Sequence, residues 1–162
     1  MKAREELRVA GTEIPALYDR MAVNNEFAAK YDAAYGKHDR ATLAPHLKMS
    51  GFTAVEASDD WTLYCYGPHV CTKLPPSAAA AAAHRVEHVG YQRAAEEFLD
   101  RLSSDEAYGT RLQAAIMEGN RAKILAILRE GGLKGHDIMA LTFEKDVKIH
   151  FQWDWIVIHI EW

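Results

Sequence analysis

Apolar residues recur along this chain first at helical and then at strand spacing, and the sequence of spacings is run through twice. In the second half, Ala95, Phe98, Leu99 and Leu102 close a first helical stripe. Ser103-Ser-Asp-Glu106 has the form of a capping box, which predicts a new helix starting there. Tyr108, Leu112 and Ile116 fall on one face at i, i+4 and i+8. Gly119-Asn120 breaks that helix, and Asn120 is suited to cap the next by accepting a backbone N–H bond. Ile124, Ile127 and Leu128 form the third stripe, and Gly131-Gly132 ends it, because glycine takes the left-handed terminal position without a Cβ clash.

The first half follows the same plan. Asn24 or Asn25 stands at one break and Asp39 at the next, and Pro45 predicts that the third helix starts late or kinks. The agreement is gapless. At an offset of 81 residues, half of 162, positions 17–52 lie over 98–133. Identities include Asp19/Asp100, Arg20/Arg101, Ala33-Ala34/Ala114-Ala115, Arg40-Ala41/Arg121-Ala122, Leu47/Leu128 and Gly51/Gly132. Apolar character matches at Met21/Leu102, Phe27/Tyr108, Tyr31/Leu112 and Leu43/Ile124. Shared punctuation together with a shared core favours duplication over chance agreement between amphipathic helices. A unit this short buries too little surface to stand alone, so the two copies are expected to pack on each other or on a partner.

After each helical stretch the period changes. Asp60–Tyr66 and His69–Lys73 around Gly67-Pro68 predict two short strands and a turn. Ala78–Ala83 favours a helix running toward Leu102, with Gly90 as a point of interruption. In the tail, Leu141–Phe143, Val147–Phe151 and Trp153–Trp162 read as two or three strands, with Glu144-Lys-Asp146 as a turn. The stretch Trp155–Ile160 is too apolar on both sides for an exposed edge and is expected to be central in a sheet, covered by helices or bound to a partner. The expected fold is α+β: two duplicated three-helix units, each followed by short β-strands able to form one antiparallel sheet. The expected division is 1–77 for the first helical unit with its hairpin, and 78–162 for the second with the C-terminal strands.

Charge narrows the partners. With a net charge of -4 and Lys and Arg scattered among Asp and Glu, there is no bulk basic surface for nucleic acid. No stretch reaches the roughly 18 apolar residues of a membrane span, and the charged start does not read as a secretory signal. Two cysteines are too few for a disulfide framework. Cytoplasmic residence is the expectation.

The pattern Phe98-Leu-x-x-Leu-x-x-Asp105, Leu112-x-Ala114-Ala115, Ile124 to Leu128 and Gly131-Gly132-Leu133 resembles the leader regions of a bacterial family of peptide precursors. That family is the nitrogen-fixation-associated (nitrile-hydratase-leader-like) group of ribosomally made, post-translationally modified peptides. Leu17 to Phe52 resembles it too, with Asn24 and Asn25 where an acidic residue is usual. The resemblance implies that the helical unit is a recognition element for a maturation enzyme acting on a downstream core. Positions 143–162 contain no Ser, Thr or Cys to modify. A leader-derived binding or accessory protein therefore fits better than a precursor.

Candidate chemistry is sparse. His84-Arg-Val-Glu-His88 has the H-x-x-E-H form of an inverted zinc-protease motif, in which two histidines one turn apart ligate zinc and a glutamate acts as base. A polar, solvated helix face explains it more simply. Cys65, His69 and Cys71, with His84 or His88, are candidates for modification or for a metal, although a cysteine alternating with apolar neighbours is equally a strand core residue. No nucleophile elbow, phosphate loop or dinucleotide fingerprint occurs. Trp61, Trp153, Trp155 and Trp162 are the candidate partner-binding anchors, since large aromatic side chains dominate interface energetics. The expectation is a non-enzymatic protein- or peptide-recognition protein with no cofactor. Its partner would be a protein or peptide such as a maturation enzyme. Self-assembly into a homo-oligomer, or service as a modified precursor, are the alternatives.

Overall fold

The computed structural model describes residues 2–56, 61–133, 138–143, 146–151 and 156–161, with side chains described as far as Leu133 apart from Ala3, Val55 and Glu56. The architecture is α+β. Three helices, α1 (Lys2–Val23), α2 (Asn25–Gly36) and α3 (Arg40–Met49), precede three strands, β1 (Val55–Glu56), β2 (Leu63–Cys65) and β3 (Val70–Lys73). The order then recurs as α4 (Ala78–Ser104), α5 (Glu106–Met117), α6 (Arg121–Glu130), β4 (Ile138–Phe143), β5 (Asp146–Phe151) and β6 (Ile156–Glu161).

Helix boundaries agree across the offset of 81 at both ends of the second and third helices and at the end of the first. The physical reason is a shared set of caps. Asn24 accepts from the Phe27 N–H and Asp105 from the Tyr108 N–H, both at 2.9 Å. Asp39 and Asn120 do the same for Thr42 and Lys123 at 3.1 Å. At the far ends, His38 and Gly119 take left-handed φ of 55° and 63°, and Gly51 and Gly132 take 89° and 100°. Each is followed by a residue whose N–H reaches back to a carbonyl five positions earlier. Phe52 bonds Leu47 and Leu133 bonds Leu128, which completes Schellman ends that satisfy the orphan carbonyls.

Three local expectations are corrected. The capping box does not start a helix at Ser103: α4 continues to Ser104, and Asp105 is the cap. Both serine hydroxyls instead donate back to the Asp100 carbonyl within the last turn of α4. Gly90 interrupts nothing, since α4 runs unbroken. Pro45 does not delay α3, which begins at Arg40 and includes it. Buried Leu43 and Leu47 flank that proline, and at about 2 kcal/mol each their burial outweighs one missing N–H bond.

Helices α1 and α4 pack antiparallel through their length. Arg4 pairs with Asp100 at one end, and Arg85 donates to Asp19 at 2.9 Å at the other. Adding 81 turns Arg4 into Arg85 and Asp19 into Asp100, so the two contacts exchange with each other. Near the crossing lie Gly11 and Gln92, again related by the same offset. A Cβ on Gly11 would sit 1.4 Å from the Gln92 amide nitrogen, so the long side chain of one helix occupies what the glycine of the other leaves open. Leu7, Ile14 and Leu17 of α1 and Phe98 and Leu99 of α4 are each buried.

The strands form one antiparallel sheet in the order β1-β2-β3-β6-β5-β4 among the described residues. The short β1 was not foreseen, because two residues carry no period. Strands β2, β3 and β6 fall within the predicted stretches, whereas β4 begins at Ile138, three residues before the predicted Leu141, and β5 takes in Asp146, which was expected in the turn; β6 lies between β3 and β5, away from the edges. Cys71 opposite Val157 is the middle of the β3–β6 register that joins the two halves of the chain. The hairpin β2–β3 is fastened to α1 by Glu6, whose carboxylate accepts the His69 and Val70 N–H groups at 2.9 and 3.0 Å. Tyr31 donates to the Pro75 carbonyl at 2.6 Å, and Asp32 accepts from Ala78 at 2.8 Å, which ties the chain between the halves to α2.

Candidate binding groove

Two of the proposed metal donors are bonded to each other. Cys65 and Cys71 face each other across β2 and β3 and are joined as a disulfide. Neither sulfur is a free thiolate, so the reading of Cys65, His69 and Cys71 as a ligand set is corrected. The His69 ring nitrogen Nδ1 instead sits 3.0 Å from Glu6. His84 Nδ1 lies 2.8 Å from Glu87, one turn along the same helix. His88 is turned into the α1–α4 interface, edge-on to Tyr18 with ring centroids 5.3 Å apart. Burial disfavours its charged form and lowers its pKa to about 4, so His88 is neutral at physiological pH. The two histidines of the motif therefore do not share a solvent-facing site. Among the described residues no three His, Cys, Asp or Glu side chains converge as a metal site.

Of the tryptophans, Trp61 is half-buried, 4.7 Å from the Tyr35 ring and 4.9 Å from His38 at the end of α2. Through these contacts it braces the C-terminal end of α2. Trp153, Trp155 and Trp162 lie outside the described residues.

The two helical pairs differ in what lies between their second and third helices. In the second half the space is bridged. Arg111 on α5 makes two bonds to the Glu130 carboxylate on α6, at 2.7 and 3.0 Å, and Lys123 reaches Glu118 at 3.0 Å. Glu130 is held below the usual carboxylate range by Arg111 and, less strongly, by Arg101. Beneath these pairs Tyr108 donates to the Ile127 carbonyl at 2.7 Å, and its burial pushes the phenol pKa up to about 12.

In the first half the same positions carry Lys30, Lys37, Thr42 and Met49, and no such bridge can form between them. An open groove of about 330 Å³ lies between α2 and α3, lined by Ala33, Ala34 and Pro45 together with the two lysines, Asp39, His46 and Met49. Met49 is 73% exposed. His46 is stacked on Phe27 with centroids 4.0 Å apart and its Nε2 lies 3.0 Å from the Phe27 carbonyl, so this wall is held from behind. Arg20 lies over the Phe27 ring and donates to the Met49 carbonyl at 3.1 Å, fixing the end of α3. Within the groove the Thr42 hydroxyl donates to the Asp39 carboxylate at 2.6 Å.

Sequence reasoning passed over Lys37 and Met49. The signal was present in the aligned halves, where Lys30/Arg111 keeps its charge, Lys37/Glu118 reverses it and Met49/Glu130 exchanges a thioether for a carboxylate. Counting matches hid it, because these are among the positions that do not match.

No family model, no curated protein and no solved structure matches this chain.

Proposed function

We propose that this chain is a non-catalytic protein- or peptide-recognition protein, made by duplication of one three-helix unit and related to the leader regions that peptide-maturation enzymes read. The observation that carries the reading is the unequal fate of two equivalent grooves. One is bridged by Arg111–Glu130 and Lys123–Glu118, while the other stays open with an exposed methionine. Duplication with one copy kept for stability and the other freed for binding accounts for both. The exchange of Arg4–Asp100 with Asp19–Arg85 has the form of an isologous contact, as in a two-fold dimer fused into one chain.

The double glycine of the leader-like pattern has a structural use here. Gly132 supplies the left-handed end of α6, and a Cβ on Gly131 would sit 2.2 Å from the Tyr108 hydroxyl. Service as a modified precursor has less support, because the two candidate cysteines are bonded to each other. Self-assembly has one observation in its favour: β4, six residues long, ends the sheet order and is placed to pair with another strand.

The test is a native mass spectrum of the full chain purified from its own host at several concentrations. A defined complex with a second polypeptide supports recognition. A concentration-dependent homo-oligomer transfers the case to self-assembly, and a bare monomer throughout removes both.

A further inference from the structure

We propose that the Cys65–Cys71 bridge is an exchange-active disulfide, which a dithiol reduces to two thiols while the fold stays intact. The site lies on the β2–β3 hairpin and does not rest on the recognition reading. The ladder holds the two cysteines opposite each other without help from the bond between them. On one side of the pair the Tyr66 N–H donates to the Val70 carbonyl at 2.9 Å, and on the other the Leu74 N–H donates to the Thr62 carbonyl at 2.8 Å. Both strands also have outer neighbours, β1 beside β2 and β6 beside β3. Glu6 grips the turn through the His69 and Val70 N–H groups. The bridge itself spans a separation of six residues, and closing a loop that short removes less chain entropy than closing a long one. Opening it therefore leaves both sulfurs in place to close again.

Access is unequal between the two sulfurs. Side chains alternate between the faces of a strand. Tyr64, Val70 and Thr72 are buried on one face, and Leu63, Cys65 and Lys73 are half-buried on the other. Cys71 shares that second face but is only 7% exposed. An incoming thiolate therefore reaches Cys65 first. It bonds to the Cys65 Sγ, the Cys65–Cys71 bond breaks, and Cys71 leaves as a thiolate that takes a proton from water. The second thiolate of the dithiol then attacks its own sulfur in the mixed disulfide and releases Cys65. Two electrons, with two protons exchanged through water, pass to the protein, and the dithiol ends as a cyclic disulfide. The chain has two cysteines in all, so within it each has a single partner and the pair cannot reshuffle.

In the test, the folded full chain is treated with millimolar dithiothreitol at neutral pH, blocked with N-ethylmaleimide and weighed intact. The expected result is two adducts per chain, formed at a rate within about tenfold of that of the guanidinium-unfolded chain, with the circular dichroism spectrum unchanged. Oxidised glutathione, added after the dithiol is removed, is expected to restore a chain that takes no adduct. Adducts that form only after unfolding, or a loss of helix and strand signal on reduction, overturn the exchange-active site, because the bond is then a structural staple. Two variants test the order of attack. Cys71→Ala leaves the half-buried thiol, and its mixed disulfide with glutathione is expected to form about tenfold faster than that of Cys65→Ala, which leaves the covered one. Equal rates overturn Cys65 as the point of entry. Both variants lack the bridge, so unfolding of either one also makes the bond a staple. A failure here leaves recognition to be decided by the native spectrum.

Discussion

The contact between Gly11 and Gln92 offers a test of the α1–α4 packing whose outcome is a change of sign. Gly11→Ala in an isolated helix is favourable, by about 1 kcal/mol. In this protein the new methyl would stand 1.4 Å from the Gln92 Nε2 and 2.6 Å from its Cδ. Gln92 is 5% exposed and donates to the Leu7 carbonyl at 3.1 Å, so it makes way only by giving up that bond and repacking. Overpacking costs about 1–3 kcal/mol, and the buried hydrogen bond lost with it about 1 kcal/mol more. The net effect is a loss of about 1–3 kcal/mol, since the helix propensity gained offsets only part of it. In a Gln92→Ala background the obstruction is gone, and the same substitution should stabilise by about 1 kcal/mol. The cycle therefore predicts a coupling of about 2–4 kcal/mol between two positions in direct contact. Guanidinium unfolding of the four proteins, followed by circular dichroism at 222 nm, measures it. Melting temperatures should move by about 2–4 °C per kcal/mol in a chain of this size. Gly11→Ala with the same sign and size in both backgrounds would refute the crossing as described.

Two further predictions concern a proton and a backbone angle. His88 has a folded pKa of about 4 against an ordinary 6.5. The unfolded chain therefore binds the extra proton between these values, and stability is full above pH 6.5 and falls as pH drops toward 4. The loss is about 3 kcal/mol, and it should vanish in His88→Leu, which places at 88 the residue found at the equivalent position 7; an unfolding titration between pH 7 and 4 that is the same in both proteins rules out the buried imidazole as its cause. Gly132→Ala meets a φ of 100° and should cost about 1–2 kcal/mol. Gly90→Ala, in mid-helix with no atom within 4 Å of the new methyl, should gain about 0.5–1 kcal/mol; thermal melts that rank the two the other way would contradict the helix end at 132.

Much of the helical layout was legible because its causes act over a few residues. Asn120 and Asp39 announce helix starts through a side chain and a backbone N–H three positions apart, and Gly51 and Gly132 announce ends through a single dihedral angle. The apolar stripes at 27, 31 and 43 and at 108, 112 and 124 identify the buried faces for the same reason, since each repeats with the period of its own helix. Even there, short-range signals competed. Ser103 and Asp105 both offer a cap, and the choice of Asp105 followed from the serines bonding back into α4.

Tertiary structure decided what depends on residues far apart in the chain. The antiparallel seating of α1 on α4, the joining of β3 to β6 and the burial of His88 against Tyr18 are set by which surfaces meet, and no local period encodes that. Cys65 and Cys71 became partners because the hairpin register puts them opposite each other, which spacing alone left open. The groove is a still clearer case. Lys30, Lys37 and Met49 look ordinary in sequence, and they line a site only because α3 packs against α2 without the ion pairs that bridge α5 to α6. The sequence by itself determined the helix starts at Asp39 and Asn120, the helix ends at Gly51 and Gly132 and the faces those helices bury, through bonds and dihedrals that lie within one turn. The fold decided which of two similar helix pairs would stay open, because that depends on charges brought together across a gap.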